Sequence, residues 1–191
     1  MKLLLDFDDT IFDNRKFKAY FFKMLEDAGV PSGKATVYYS ADREVHEVYS
    51  PQRFLNNLAT QETLSKKPEA IYSEILEAVP QFVNEPVVGL VKKLGKEHCY
   101  IISQGQEEYQ ADKINNSGVK SLFKEIIIVP SSKKEAIENI CREFPNEKIV
   151  FADDKPKFLE DLNGDHMANL VTVLFDENGF AKLEAAVNEA A

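Results

Sequence analysis

Cysteine is scarce in this chain: Cys99 and Cys141 are the only two among 191 residues. One falls in an expected strand and the other on an expected helix, with no metal-ligand spacing between them. Neither a disulfide framework nor a zinc site is indicated, and a reduced, cytoplasmic setting is expected. Histidine is equally sparse: His46, His98 and His166 form no pair at ligand spacing, so surface or packing roles are expected for all three. No apolar run approaches the ~20 residues that a membrane span needs. Met1, Lys2 and three leucines are too short a lead for the apolar core of a signal peptide. An excess of positive charge is missing as well. The 23 basic and 32 acidic residues leave a net charge of −9, which argues against nonspecific nucleic-acid binding.

What the chain does have is enough apolar residue, 44% of the total, to bury a sizeable core, arranged in two regimes. In the first, covering residues 1–11 and 87–191, short apolar runs alternate with amphipathic helices. The runs at 3–5, 99–102, 126–129, 149–152 and 170–174 read as strands, the first of them as a buried parallel strand. Helices are expected over 86–94, 107–116, 133–144 and 156–162, the first stopped by Gly95 and the last with Pro156 near its first turn. Strands alternating with helices mean a parallel sheet with right-handed crossovers, hence a doubly wound, Rossmann-like α/β fold of five strands. The second regime, residues 12–86, contains no convincing strand. Phe17, Phe21, Met24 and Leu25 fall at helical spacing before Gly29, Ser50-Pro51 starts a helix bearing Phe54, Leu55 and Leu58, and Pro68 opens another with Ile71 and Ile75. Tyr38, Tyr39, Val45, Val48 and Tyr49 suggest one more helix between them. This is an all-helical insertion between the first strand and the rest of the sheet.

Ligands of open α/β sheets sit beyond the carboxyl ends of the strands, so the residues there carry the chemistry. The first strand runs into Asp6-Phe7-Asp8-Asp9-Thr10. One acid there is an ordinary turn or capping signal; three repel one another and need a cation, a shared proton or full solvation. A hard divalent metal held by oxygen ligands satisfies that need. The second strand ends in Ser103-Gln104-Gly105, the fourth in Asp153-Asp154, and Lys133-Lys134 precede the helix leading to that fourth strand. Carboxylates for a metal, a hydroxyl and backbone N–H groups for phosphate oxygens, and a lysine to offset charge are the parts needed to work on a phosphate ester.

Taken in order, these segments resemble the four motifs of the haloacid dehalogenase-like hydrolase superfamily. Asp6, Asp8 and Thr10 match its strand followed by Asp-x-Asp-x-Thr. Ser103 matches its strand ending in a hydroxyl, Lys133 or Lys134 its lysine at a helix start, and Asp153-Asp154 its strand ending in an acidic pair. The resemblance implies that Asp6 is a nucleophile forming an aspartyl-phosphate and that Asp8 is the general acid and base. It implies a Mg²⁺ held by Asp6, Asp8 (through its backbone carbonyl) and Asp153, with Asp154 acting through water or orienting Lys133. Phosphate oxygens are expected on Ser103 and on backbone N–H groups near Gln104. Lys133, with Ile137 four positions on, is preferred over Lys134 as the inward-facing lysine. Asp9 reads as a turn or capping acid, and Thr10 as a brace for the loop. Asp154 has a second reading as the N-cap of the helix near Pro156, as Ser103 has for its own helix.

Residues 12–86 then take the position of a cap over the site, with Tyr38, Tyr39, Arg43 and Arg53 as candidates to reach the substrate. Relatives acting on carbon–halogen bonds lack the second Asp, so Asp8 favours phosphoryl chemistry. The expected activity is hydrolysis of a small phosphorylated metabolite, without nucleic acid or membrane partners. Two alternatives stay open: a phosphotransferase using the same residues, and a noncatalytic phospholigand-sensing or partner-binding protein.

Overall fold

The chain's first apolar run, Lys2–Leu5 (β1), is buried along its whole length because it lies at the centre of a parallel sheet. Its neighbours are Cys99–Gln104 (β2) on one side and Ile149–Asp153 (β4) on the other. Glu125–Val129 (β3) and Leu170–Leu174 (β5) complete the order β3-β2-β1-β4-β5. Alternation along β1 sends Leu3 and Leu5 to one face and Leu4 to the other, each into its own core cluster. Helices cover both faces. Glu85–Leu94 (α5), Glu107–Asn116 (α6) and Gly179–Ala190 (α9) contribute Val87, Ile114 and Leu183 to the Leu3/Leu5 side. Lys134–Glu143 (α7) and Pro156–Glu160 (α8) contribute Ile137 and Leu159 to the Leu4 side. This is the five-stranded, doubly wound α/β sheet expected from the alternating runs.

The computed structural model describes residues 1–162 and 167–190; His166 lies outside the described residues. Among the described residues no helix is long and apolar enough to cross a membrane.

Between β1 and α5 the chain is helical: Asn14–Asp27 (α1), Lys34–Val45 (α2), Pro51–Gln61 (α3) and Pro68–Ala78 (α4), followed by a 3₁₀ turn at Val79–Phe82. The chain enters and leaves this segment on two adjacent strips. Asp13 N–H donates to the Phe82 carbonyl at 2.8 Å, and Asn84 N–H donates to the Ile11 carbonyl at 2.7 Å. The aromatic rings of Phe12, Phe17 and Phe82 meet at the junction, edge to face, with centroids 5.0 to 6.1 Å apart. The apolar side of the segment, including Phe54, Leu58 and Ile71, is continuous with the Leu3/Leu5 core.

Two expected elements end early. The helix over Tyr38 to Tyr49 stops at Val45, leaving Val48 and Tyr49 in a loop. The next helix needs Ser50 extended as its N-cap, where its side chain accepts from Arg53 N–H, and Pro51 biases the residue before it away from helical geometry. The helix after β4 is shorter than 156–162, ending at Glu160.

Candidate active site

Register alone brings the main acids together. Leu5 pairs with Ala152 across β1 and β4, so Asp6 and Asp153 leave the sheet side by side at its carboxyl edge. Asp6 N–H donates to the Ala152 carbonyl at 2.9 Å. On the other flank Leu5 pairs with Ile101, and two residues further along β2 stands Ser103. Both acids and Ser103 are buried, at 2%, 0% and 0% exposure, although their side chains are polar. Polar groups that deep require partners.

Lys133 is the partner of the acids. It occupies the position before α7, is 1% exposed, and its Nζ bridges Asp6 Oδ1 and Asp153 Oδ2 at 2.5 Å each. Lys134, one residue on, faces out and reaches only toward Glu138, at 4.0 Å. Burial pushes the Asp6 carboxyl up to about 7; Lys133 opposes the shift, while Asp153 and Asp8 add to it.

Among the described residues, four buried polar atoms at this edge have no hydrogen-bond partner: Asp6 Oδ2, Ser103 Oγ, Thr10 Oγ1 and Asp154 Oδ1. Carboxylate oxygens of Asp6, Asp153 and Asp154 lie within 4.8 Å of one another. Three carboxylates in one all-oxygen cluster, with Asp154 Oδ1 still lacking a hydrogen bond, fit a hard divalent cation such as Mg²⁺. Asp154 does not cap α8: Lys155 stands at the cap position, and its N–H donates to Asp153 Oδ1 at 2.8 Å. Ser103 does not cap α6 either, since Gln106 accepts from Tyr109 N–H there. Gln104 spends its side-chain amide on the Pro130 carbonyl at 3.3 Å.

Asp8 turns elsewhere. Its carboxylate is no part of the Asp6–Asp153–Asp154 cluster; the expected contribution of Asp8 to a metal is its backbone carbonyl. Lys113 Nζ meets Oδ1 at 2.5 Å and Gln110 Nε2 donates to Oδ2 at 2.9 Å. Burial alone would raise the Asp8 carboxyl, but the charge and hydrogen bond of Lys113, helped by Gln110, hold it below the usual range. Lys113 is 1% exposed, and its ammonium sits over the Tyr109 ring at 4.7 Å from the centroid. Sequence reading missed both of these residues. A signal existed: Gln110 and Lys113 share the buried stripe of α6 with Ile114, where apolar side chains belong.

Asp9 carries the turn out of β1, with φ of +58°, a conformation that Asp tolerates, and Oδ1 accepting from Arg15 N–H. Thr10 braces the same loop through its backbone, its carbonyl accepting from Asn84 Nδ2 at 3.1 Å.

The four aromatic and basic candidates of the insertion divide cleanly. Tyr39 and Arg43 line a cleft of about 180 Å³ that opens from Asp8 between α1, α2 and α6. Arg53 is held by Asp42 at 2.8 Å, and the Tyr38 hydroxyl donates to Glu62 at 2.5 Å; neither lines that cleft.

No protein-family model matches the chain, and no curated protein matches it significantly. Solved structures do. A protein assigned to the haloacid dehalogenase-like hydrolases from Burkholderia xenovorans superposes with a TM-score of 0.68 at 20% identity, covering 95% of this chain and 87% of its own. The HAD-hydrolase YfnB from Bacillus subtilis, bound to magnesium, gives 0.54 at 18%, covering 91% and 85%. A protein from Thermotoga maritima that carries the name beta-phosphoglucomutase gives 0.57 at 16%, covering 97% and 91%. At these identities the likeness is one of fold: the chain has the fold of the haloacid dehalogenase-like hydrolases.

Proposed function

We propose that the protein is a Mg²⁺-dependent hydrolase of small phosphomonoesters that works through an aspartyl-phosphate on Asp6. The observation that carries this reading is the state of Asp6 itself. It is buried at the carboxyl edge of the central strand, with one oxygen fixed by Lys133 and the other without a partner. An oriented carboxylate with one free oxygen is the arrangement a nucleophile needs.

In the first step Asp6 Oδ2 attacks phosphorus, the bond to the ester oxygen breaks, and Asp8 gives its proton to the departing alcohol. In the second, Asp8 takes a proton from water as that water attacks phosphorus, releasing inorganic phosphate and restoring Asp6. At rest Asp8 is ionised by Lys113; an arriving phosphate brings negative charge beside it, which raises its proton affinity and readies it as an acid. Ser103 Oγ, free of protein partners, donates to a phosphoryl oxygen, and Lys133 offsets charge at the nucleophile. Asp6, Asp153, Asp154 and the Asp8 backbone carbonyl would hold Mg²⁺, which supplies charge stabilisation to the phosphoryl oxygens. Helices α1–α4 act as the cap that excludes bulk water. The free, buried Cys99 and Cys141 fit a reducing cytoplasmic setting.

A phosphotransferase is the second reading, favoured by the likeness to a protein named for mutase activity. A panel of nucleotides, sugar phosphates and small organic phosphates, run with Mg²⁺ and with EDTA, tests the proposal. Phosphate release that requires Mg²⁺ and vanishes in Asp6→Asn supports it. Phosphate appearing on added alcohols or sugars instead of in solution favours the transferase, and inertness across the panel overturns both.

A further inference from the structure

The cleft that opens from Asp8 is basic in a protein whose net charge is −9. Lys18, Arg43, Lys113 and Lys155 line it, against the carboxylates of Asp8 and Glu47. Two of these cations already have acidic neighbours: Lys113 is paired with Asp8, and Lys155 Nζ stands 3.9 Å from Asp154. Lys18 and Arg43 do not. Among the described residues neither has a carboxylate within ion-pair distance. Arg43 spends one N–H on the Glu47 backbone carbonyl at 2.9 Å, and Lys18 Nζ rests on the face of Tyr39, 3.6 Å from its centroid. The two cations also act on each other, since burial and then the charge of Arg43 lower the Lys18 ammonium from its ordinary value. Holding two unneutralised cations on one wall is unfavourable unless something anionic visits it.

Two further atoms on this cleft point to a visitor. The Tyr49 hydroxyl and Gln110 Oε1 are buried and, among the described residues, have no hydrogen-bond partner. Gln110 is itself 4% exposed and is anchored beside Asp8 by its amide. Buried polar atoms rarely stay unpaired without a ligand or water to meet them. The rings of Tyr39, Tyr49 and Tyr109 form the intervening wall, with centroids 5.0 and 6.0 Å apart along the series.

From this arrangement we propose that the substrate carries a second anionic group, a carboxylate or a second phosphate, held by Lys18 and Arg43 while the reacting phosphate lies at Asp6. The inference rests on the phosphomonoester reading and names its substrate class: small phosphorylated molecules with a negative charge at the far end. Hydroxyls along the connecting carbons meet Tyr49 and Gln110. At about 180 Å³ the cleft suits a short chain or a single sugar.

Matched substrates test it. Glycerol phosphate against phosphoglycerate adds a carboxylate at nearly constant size, and a hexose monophosphate against its bisphosphate adds a phosphate. The expected kcat/KM preference is about tenfold or more for the doubly anionic member of at least one pair, the size of a charge-assisted contact. The preferred pair identifies the source of the charge. In Lys18→Gln and Arg43→Gln the preference collapses toward unity through KM, whereas Lys18→Arg retains it. Ratios near one in the wild type, or ratios that persist in both glutamine variants, overturn the proposal. Turnover of p-nitrophenyl phosphate, which has no second charge, reports separately on the Asp6 chemistry. Calorimetric binding of the same pairs to Asp6→Asn gives the preference independently of turnover.

Discussion

Asp6 sits where a carboxylate is uncomfortable, and that discomfort has measurable consequences. Its folded proton affinity lies near 7, well above the ordinary carboxylate value. Between about pH 4 and 7 the folded state therefore holds a proton that the unfolded chain has released. Stability falls as pH rises through that window, and the penalty is complete above it. Asp6→Asn should abolish phosphatase turnover yet melt several degrees higher than wild type at pH 8 in chelator. The gain should shrink as pH approaches 4, and thermal melts across pH check it. Asp8 carries the opposite sign: its carboxyl is held low by Lys113, so the pair stabilises above the ordinary carboxylate range and is lost in strong acid. Lys113→Met, leaving the half-buried Asp8 carboxylate with Gln110 and the weaker influence of Lys155, should cost about 3 kcal/mol at neutral pH by urea denaturation. That deficit should narrow in acid.

At the level of elements, α7 decides which of two adjacent lysines reaches the site. The helix lays Ile137, Ile140 and Cys141 against the sheet, and Lys133, four residues before Ile137, falls on the same face. Lys133→Met should remove nearly all turnover and destabilise the fold by about 3 kcal/mol or more, because Asp6 and Asp153 lose the charge between them. Lys134→Ala, which removes only an exposed, marginal pair with Glu138, should change stability by less than about 0.5 kcal/mol and leave turnover intact. The two variants, assayed side by side, check the helix register through function. This much was legible beforehand, because helical spacing from Ile137 is a local property. The strands were legible for the same reason: runs such as 3–5 and 149–152 are apolar without alternation, as burial on both faces requires. The pairing of Asp8 with Lys113 was not. It joins residues 105 apart in sequence and depends on how α6 packs against the sheet. The same limit applied to the insertion, where Tyr39 and Arg43 differ from Tyr38 and Arg53 only in which side of the packed helices they meet.

The molecule as a whole couples the two regimes through one cleft. The sheet fixes the acids at its carboxyl edge, and the helical segment returns to that edge on the two strips at residues 11–13 and 82–84. Metal binding should report on the assembled site. Mg²⁺ at about a hundred times its dissociation constant should stabilise the wild type by about 2.7 kcal/mol. Asp6→Asn and Asp153→Asn, each lacking a proposed ligand, should show little of that gain in the same thermal melts. Equal stabilisation of all three would place the metal elsewhere.

The central claim is that Asp6 becomes covalently phosphorylated, and trapping the intermediate tests it most directly. If Asp8 activates the water, Asp8→Asn should slow removal of the phosphoryl group, and this variant, mixed with Mg²⁺ and a phosphomonoester and quenched in acid, should accumulate a phosphoenzyme. Borohydride trapping and peptide mapping should then place the modification on Asp6, with none in the Asp6→Asn, Asp8→Asn double variant. A label on another residue, or phosphate release by Asp6→Asn at a rate near wild type, would contradict the account.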